Sequence, residues 1–119
     1  MKDIKAIFDK YRHQFPEIDR LYDYQESALV KLLNLNNTLC IIPTGGGKSF
    51  IFQLAAQELD GITIVVSPLL ALMREQKTEL VKRGISTTAF NSELSFDQQR
   101  QYLRHLSTTN TKLLYLSPE

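Results

Sequence analysis

A glycine-rich loop from Pro43 to Ser49 carries the residues of this sequence that are best suited to chemistry. Its three consecutive glycines can adopt positive φ and let backbone N–H groups approach an anion without obstruction by Cβ. Lys48 can then hold the β and γ phosphates of a nucleotide, and the Ser49 hydroxyl can bind Mg²⁺. The loop predicts a nucleoside triphosphate site with Lys48 as its catalytic charge, and its predicted nucleotide-binding residues are Thr44, Gly45, Gly46, Gly47, Lys48 and Ser49.

A phosphate-binding loop needs a strand before it and a helix after it. The segment Thr38 to Ile42 is short and apolar, which predicts a strand in which Cys40 is a buried small hydrophobe. The pattern from Lys48 to Leu59 predicts the helix, whose first-turn N–H groups would face the phosphates. Ile42 stands where the common G-x-x-x-x-G-K-[ST] motif has its first glycine. A plain surface turn is the alternative, and the order of strand, loop and helix argues against it.

Strands and helices alternate through the rest of the chain, which indicates an α/β fold with a parallel sheet and right-handed crossovers. The run Ile62 to Val66 is continuously apolar or β-branched, as expected of a strand covered on both faces. Gly84 would end the helix that follows this strand. Helices are predicted at Ile4–Tyr11, Tyr24–Leu35, Leu69–Arg83 and Ser95–Leu106, and further strands at Thr87–Phe90 and Lys112–Leu116.

Composition narrows the class of protein. The 119 residues can form one small domain at most, and 43% hydrophobic content is typical of a globular chain. A formal net charge of +1 argues neither for nor against binding of nucleic acid, so any such contact must be local. The sequence shows no signal peptide and no apolar run long enough for a bilayer. We therefore expect a cytoplasmic protein with no membrane partner.

Five short motifs occur along the sequence: Leu21–Gln25, Pro43–Ser49, Ser67–Gln76, Asn91–Ser92 and Tyr115–Glu119. Their order resembles the first motor domain of RecQ-like DNA helicases, which belong to superfamily 2. That resemblance implies a RecA-like P-loop NTPase fold of three layers, here incomplete and truncated before the Walker B strand. It also implies a helical segment over residues 1–36 and the first part of the ATP-binding domain over residues 37–119. The parent would be an ATP-dependent, 3′-to-5′ DNA helicase.

Gln25 occupies the place where this family has the glutamine that reads adenine. A carboxamide can pair with adenine N6 and N7 together, although a glutamine on a helix is more often simply solvated. Tyr22 stands where the family usually has arginine, which is a departure. Tyr22 or Tyr24 could therefore supply the stacking contact to the base.

The remaining motifs resemble those with which the family contacts DNA. Ser67 and the first N–H groups of the next helix could bind a backbone phosphate without reading sequence. The same residues also suit a plain strand-to-helix turn, with Pro68 near the first helical position. Single-stranded or partly duplex DNA is the expected partner, and the predicted contacts are Ser67, Pro68, Leu69, Asn91, Ser92 and Ser117.

The family's Asp-Glu-Ala-His motif does not occur in this sequence. Without its carboxylates, and without a second motor domain, we expect the chain alone to be an inactive nucleotide-binding fragment. The strand predicted at Thr38 to Ile42 would then lack a neighbour, and an unpaired apolar edge favours self-association. Two alternatives remain open: another superfamily 2 DNA translocase, and a truncated module that binds ATP or DNA without catalysis.

Overall fold

The computed structural model describes residues 3–42, 47–90, 94–106 and 110–117. The chain divides into two compact units, residues 1–60 and residues 61–119. Among the described residues, no helix has both the length and the apolar character needed to cross a membrane. The predicted division at residues 36 and 37 follows motifs, and it stays a prediction.

Three α-helices build the first unit: α1 (Ile4–Tyr11), α2 (Asp23–Leu33) and α3 (Lys48–Glu58), with a 3₁₀ turn at Arg12–Gln14. The Asp3 carboxylate caps α1 by accepting from the N–H groups of Lys5 and Ala6 at 3.0 and 3.3 Å. All three helices lie close to their sequence predictions. The buried apolar residues of this unit include Phe15, just after the 3₁₀ turn, and from the helices Ile4, Ile7, Phe8, Ala28, Leu29, Leu33, Phe50, Ile51, Leu54, Ala55 and Ala56.

Phe50 anchors the start of α3 in this core. Its ring meets the rings of Phe8 and Phe15 edge to face, with centroids 5.9 and 5.0 Å apart. Tyr11 fixes the other end of α3, since its hydroxyl lies 3.0 Å from both the Gln57 carbonyl oxygen and the Glu58 carboxylate. The helix that carries Lys48 is therefore held against α1 at both ends.

A parallel sheet organises the second unit. Its strands β1 (Thr63–Val66), β2 (Thr87–Phe90) and β3 (Leu113–Leu116) lie in the order β1-β3-β2, and both pairings are parallel. Helices α4 (Leu70–Lys82) and α5 (Phe96–Leu106) connect them. The predicted α/β class, its parallel sheet and these five elements are confirmed.

The end of α4 and the start of α5 are set by the local residues that the sequence predicted. At the end of α4, Gly84 adopts φ +80°, and the N–H groups of Gly84 and Ile85 donate to the carbonyls of Val81 and Leu80. At the start of α5, the Ser95 hydroxyl accepts from the Gln98 N–H while the Gln98 amide oxygen accepts from the Ser95 N–H. This reciprocal pair is the predicted capping box.

The prediction of a strand at Thr38 to Ile42 is wrong. This segment joins no sheet in the described part of the chain, and Leu39 and Ile41 are 87% and 88% exposed. Cys40 is exposed as well, which overturns the expectation of a buried thiol. A strand exists only where a partner completes its hydrogen bonds, and the apolar pattern alone cannot supply one.

The prediction that β1 is covered on both faces is also wrong. Ile64 and Val66 point to one face of the sheet and are 57% and 64% exposed. β1 lies at the edge of the sheet, and no element described within residues 61–119 covers that face. Burial of a strand depends on the neighbours it receives, which the apolar run by itself does not determine.

Candidate functional site

The start of α3 has the features of an anion site. Gly47 precedes the helix in the left-handed conformation, with φ +76° and ψ +33°, and no side chain among the described residues caps this end. The first turn therefore presents N–H groups and a partial positive charge. Lys48 is exposed at that turn, and Ser49 is half-buried there. Thr44, Gly45 and Gly46, which the sequence also predicts to bind nucleotide, lie outside the described residues.

Gln25 joins the start of α2 to the end of this loop. Its side chain is 3% exposed; its Oε1 accepts from the Tyr22 N–H at 2.9 Å, and its Nε2 donates to the Gly47 carbonyl oxygen at 3.4 Å. The structure thus brings the predicted adenine-reading residue directly onto the predicted phosphate loop. The family resemblance implied that Gln25 belongs to the nucleotide site, but it did not indicate that both ends of the carboxamide hold backbone groups.

Gly47 fits a nucleotide cradle for two independent reasons. Its positive φ is unfavourable for any residue with a Cβ. A Cβ built on Gly47 would also collide with the Gln25 Nε2 atom. Only glycine therefore fits at this position, at the turn where an anion of the size of a phosphate could approach the N–H groups of the helix start.

A cavity of about 330 Å³ opens beside this junction. That volume lies at the lower end of the range of ligand sites, about 300–1,000 Å³. The Tyr22 ring is 51% exposed, and it stacks on the Tyr24 ring with centroids 5.6 Å apart and planes inclined by 16°. The cavity is lined by Glu17, Ile18, Asp19, Arg20, Tyr22, Gln25, Gly47 and Phe50.

Arg20 is a residue of this cavity that sequence analysis missed. Its guanidinium carbon lies 5.9 Å from the centroid of the Tyr22 ring, so a cation and an aromatic face occur together in the cavity wall. The family places an arginine at the position of Tyr22. Arg20 lies only two residues before Tyr22, and this closeness in sequence was the signal that could have indicated its place in the cavity. Of the two candidate stackers, Tyr22 lines the cavity and Tyr24 does not.

The second unit gathers the predicted DNA-contacting residues at the carboxyl edge of its sheet. The Ser67 N–H, just after β1, donates to the Leu116 carbonyl at 2.9 Å, and the Ser117 N–H, just after β3, donates to the Phe90 carbonyl at 3.2 Å. The ends of all the described strands are therefore tied together. Asn91 and Ser92, which directly follow β2 in the sequence, lie outside the described residues, as does Pro118.

The turn from β1 into α4 has the geometry of a plain strand-to-helix turn, which was the alternative to a phosphate-binding site. The Ser67 Oγ accepts from the Leu69 N–H at 3.4 Å, and Ser67 is 8% exposed. Pro68 and Leu69 are exposed at the surface of this turn. No side chain caps the start of α4 among the described residues, so its first N–H groups are open to an anion. The two interpretations are compatible, and the DNA contact stays a prediction.

The described residues contain no group of three or more His, Cys, Asp or Glu side chains that could hold a metal ion. Magnesium in nucleotide sites is commonly held by few protein groups together with substrate phosphates and water. Ser49, at the first turn of α3, is therefore a chemically suitable contributor, and it would act beside a bound nucleotide.

Comparisons with known proteins give a consistent result. A family model described as DEAD/DEAH box helicase matches residues 22–119. The chain is 46% identical over 88 residues to an ATP-dependent DNA helicase RecQ of Synechocystis sp., a match that covers 74% of this chain and 18% of that relative. It is 40% identical over 95 residues to RecQ of Haemophilus influenzae, covering 80% and 15%.

A third relative is the probable ATP-dependent DNA helicase RecS of Bacillus subtilis. The chain is 41% identical to it over 96 residues, which cover 80% of this chain and 19% of the relative. The chain thus spans less than a fifth of the length of these relatives.

Proposed function

The chain belongs to the DEAD/DEAH box helicases and is RecQ-like, and on that premise we propose that it is the nucleotide-binding part of an ATP-dependent DNA helicase. The observation that carries this proposal is the contact of Gln25 with Gly47, because it joins a base-reading side chain to a phosphate-binding helix start. The relatives' names state ATP dependence and action on DNA.

Each nucleotide-binding residue has a distinct proposed role. Lys48 neutralises charge on the β and γ phosphates, and the backbone from Thr44 to Gly47 cradles them. Ser49 contributes a hydroxyl to Mg²⁺, which, when bound with ATP, neutralises charge that develops on the phosphates. Gln25 pairs with adenine, and the Tyr22 ring stacks on it in the cavity that both line.

DNA would bind at the carboxyl edge of the sheet in the second unit. There the first turn of α4, which directly follows Ser67, Pro68 and Leu69, offers its N–H groups to backbone phosphates, and Ser117 lies at the end of the neighbouring strand. Asn91 and Ser92 would extend this surface. For the helicase of which this chain would be a part, we propose movement along DNA from 3′ to 5′ coupled to hydrolysis, and a place in the cytoplasm.

We further propose that the chain alone binds ATP without turning it over. The sequence contains no adjacent Asp-Glu pair, and a carboxylate to hold Mg²⁺ and orient the attacking water is a recurring requirement of such hydrolysis. Binding and catalysis are therefore separable in this chain.

Calorimetric titration of the chain with ATP and Mg²⁺ tests the proposal. We expect saturable binding, and Lys48→Ala should weaken it at least about tenfold because one charge-assisted phosphate contact is lost. Lys82→Ala, which removes an exposed lysine at the end of α4, is the matched control and should bind like the unaltered chain. Equal affinity of the Lys48 and Lys82 variants would refute the loop assignment. Phosphate release in the presence of single-stranded DNA would refute the proposed inactivity.

A further inference from the structure

A polar pair lies within the apolar contact between α4 and the sheet. The Tyr115 hydroxyl donates to the Gln76 Oε1 at 2.6 Å, and Tyr115 is 1% exposed. Gln76 shares its face of α4 with Met73 and Leu80, at spacings of three and four residues, and both of these are fully buried. The bond therefore connects the inner face of α4 to the central strand of the sheet.

Each member of this pair lies a short way along the chain from a predicted DNA contact. Tyr115 is two residues before Ser117 on β3. Gln76 is on the helix that begins directly after Ser67, Pro68 and Leu69, about 9 Å along the axis from its first residue, at 1.5 Å per residue. The turn that leads into this helix is also tied to the same strand, because the Ser67 N–H donates to the Leu116 carbonyl.

These two hydrogen bonds, one at the turn before α4 and one at Gln76, constrain the direction of α4 relative to β3 more closely than either does alone. Apolar side chains tolerate small slides and rotations, but a hydroxyl hydrogen bond weakens steeply when its distance or alignment changes. Loss of this buried hydrogen bond also costs free energy, which further disfavours displaced arrangements.

From this geometry we infer that Gln76 and Tyr115 are positioning residues for DNA binding. Their bond holds the turn at Ser67 to Leu69 and the end of β3 at Ser117 in one arrangement, so that both can meet the same sugar–phosphate backbone. The inference rests on the proposed function, because it assigns these residues a role in the DNA contact proposed above. Neither residue touches DNA itself.

The test compares three variants of the full chain. Tyr115→Phe deletes the donor oxygen, Gln76→Met removes the acceptor at similar volume, and the double variant removes both. We expect each to weaken binding of a fluorescent oligothymidylate roughly three- to tenfold, the range of one neutral hydrogen bond. The double variant should be no weaker than either single one, because all three lack the same bond.

Tyr11→Phe is the matched control. It also deletes a hydrogen-bonded tyrosine hydroxyl, but in the first unit, between α1 and the end of α3. It should lower stability and leave DNA affinity unchanged. A Tyr115→Phe chain that binds DNA as tightly as the Tyr11→Phe chain would overturn the positioning role.

Amide hydrogen exchange without DNA separates this inference from the proposed function. Tyr115→Phe should speed exchange of the Ser67 and Ser117 amides by about threefold or more, while Tyr11→Phe should not. Unchanged exchange at both amides would overturn the positioning role even if DNA binds. Absence of DNA binding by the unaltered chain would instead overturn the proposed DNA contact, whatever the exchange rates show.

Discussion

The Gln25 amide nitrogen donates to the carbonyl oxygen of Gly47, and the position of that nitrogen leaves no room for a Cβ on Gly47. One glutamine therefore contacts the phosphate loop at the residue that begins its helix. The other end of the same carboxamide holds the Tyr22 N–H at the start of α2. A base that bound Gln25 would replace these backbone groups as hydrogen-bond partners of the carboxamide. Base recognition and the geometry of the loop end are therefore physically connected.

Replacement of Gly47 by alanine should destabilise the chain more than the same replacement at Gly84. Both glycines have positive φ, +76° and +80°, which costs a residue with a Cβ about 1–2 kcal/mol. Only Gly47→Ala also forces the buried Gln25 amide to move, and each hydrogen bond that the amide then loses to a backbone group adds about 0.5–1.5 kcal/mol. Urea unfolding of both variants measures the difference.

One further variant separates the collision at Gly47 from the cost of its positive φ. Gln25→Ala removes the colliding side chain, so the cost of Gly47→Ala measured in that background should come close to the cost of Gly84→Ala. If the cost at Gly47 does not fall in this background, the contact with Gln25 is not its cause.

Replacement of Gln25 by alanine should weaken ATP more than GTP. Adenine offers an N6 donor beside an N7 acceptor, and a bidentate carboxamide contact contributes about 1–3 kcal/mol of discrimination. We expect the ratio of ATP to GTP affinity to fall at least about fivefold in a competition titration. Gln101→Ala, on the exposed surface of α5, is the control. Equal losses for both nucleotides would show that Gln25 serves only the backbone groups it holds here.

The ring of Tyr22, rather than that of Tyr24, should support the base. Tyr22 lines the cavity beside Gly47 and Tyr24 does not. Loss of one base–aromatic stack costs about 1–3 kcal/mol, so Tyr22→Ala should weaken ATP and GTP alike, and Tyr22→Phe should retain both. Tyr24→Ala should have a smaller effect. Nucleotide titrations in which Tyr24→Ala is the more damaging change would reverse this assignment.

Local sequence signals predicted the helices of this chain well. Gly84 and the pair Ser95–Gln98 act within a few residues of the backbone groups they satisfy, so their effect is readable without knowledge of the fold. The three paired strands were predictable for a related reason, since their apolar runs are bounded by turns.

Features that depend on distant partners were not predictable in the same way. Thr38 to Ile42 and the strand β1 have similar apolar patterns, yet only β1 is paired in the described chain. The exposure of Cys40, the burial of Gln25 and the place of Arg20 in the cavity wall likewise depend on what packs nearby. Sequence order indicated the candidate site residues, but not their contacts.

Alkaline pH should destabilise the contact between α1 and the end of α3. Burial, followed by the hydrogen bond with Glu58, raises the pKa of Tyr11 above its ordinary value of 10.0. The hydrogen bond with Tyr11 is the largest cause that raises the pKa of Lys10 above 10.5. The folded state holds both protons more tightly, so the stability they contribute is complete below pH 10 and is lost as pH rises through the folded pKa values.

Urea midpoints measured between about pH 8 and pH 11 test this linkage. The midpoint should fall at the alkaline end, and Tyr11→Phe should flatten part of that fall, because its side chain cannot ionise. A Tyr11→Phe chain whose midpoint falls as steeply as that of the unaltered chain would exclude Tyr11 as a source of the pH dependence.

The exposed segment Thr38 to Ile42 should make the isolated chain self-associate. Leu39 and Ile41 are almost fully exposed, and the segment joins no sheet in the described residues, so its apolar side chains and backbone groups are available to a second copy. Light scattering coupled to size-exclusion chromatography should show a mass above 13.7 kDa that rises with concentration. The double variant Leu39→Ser/Ile41→Ser should shift the chain towards monomer, whereas Val81→Ser, at a 54% exposed position on α4, should not. A monomeric profile at all concentrations would contradict the prediction, and equal effects of the two variants would assign association to general surface apolarity instead of this segment.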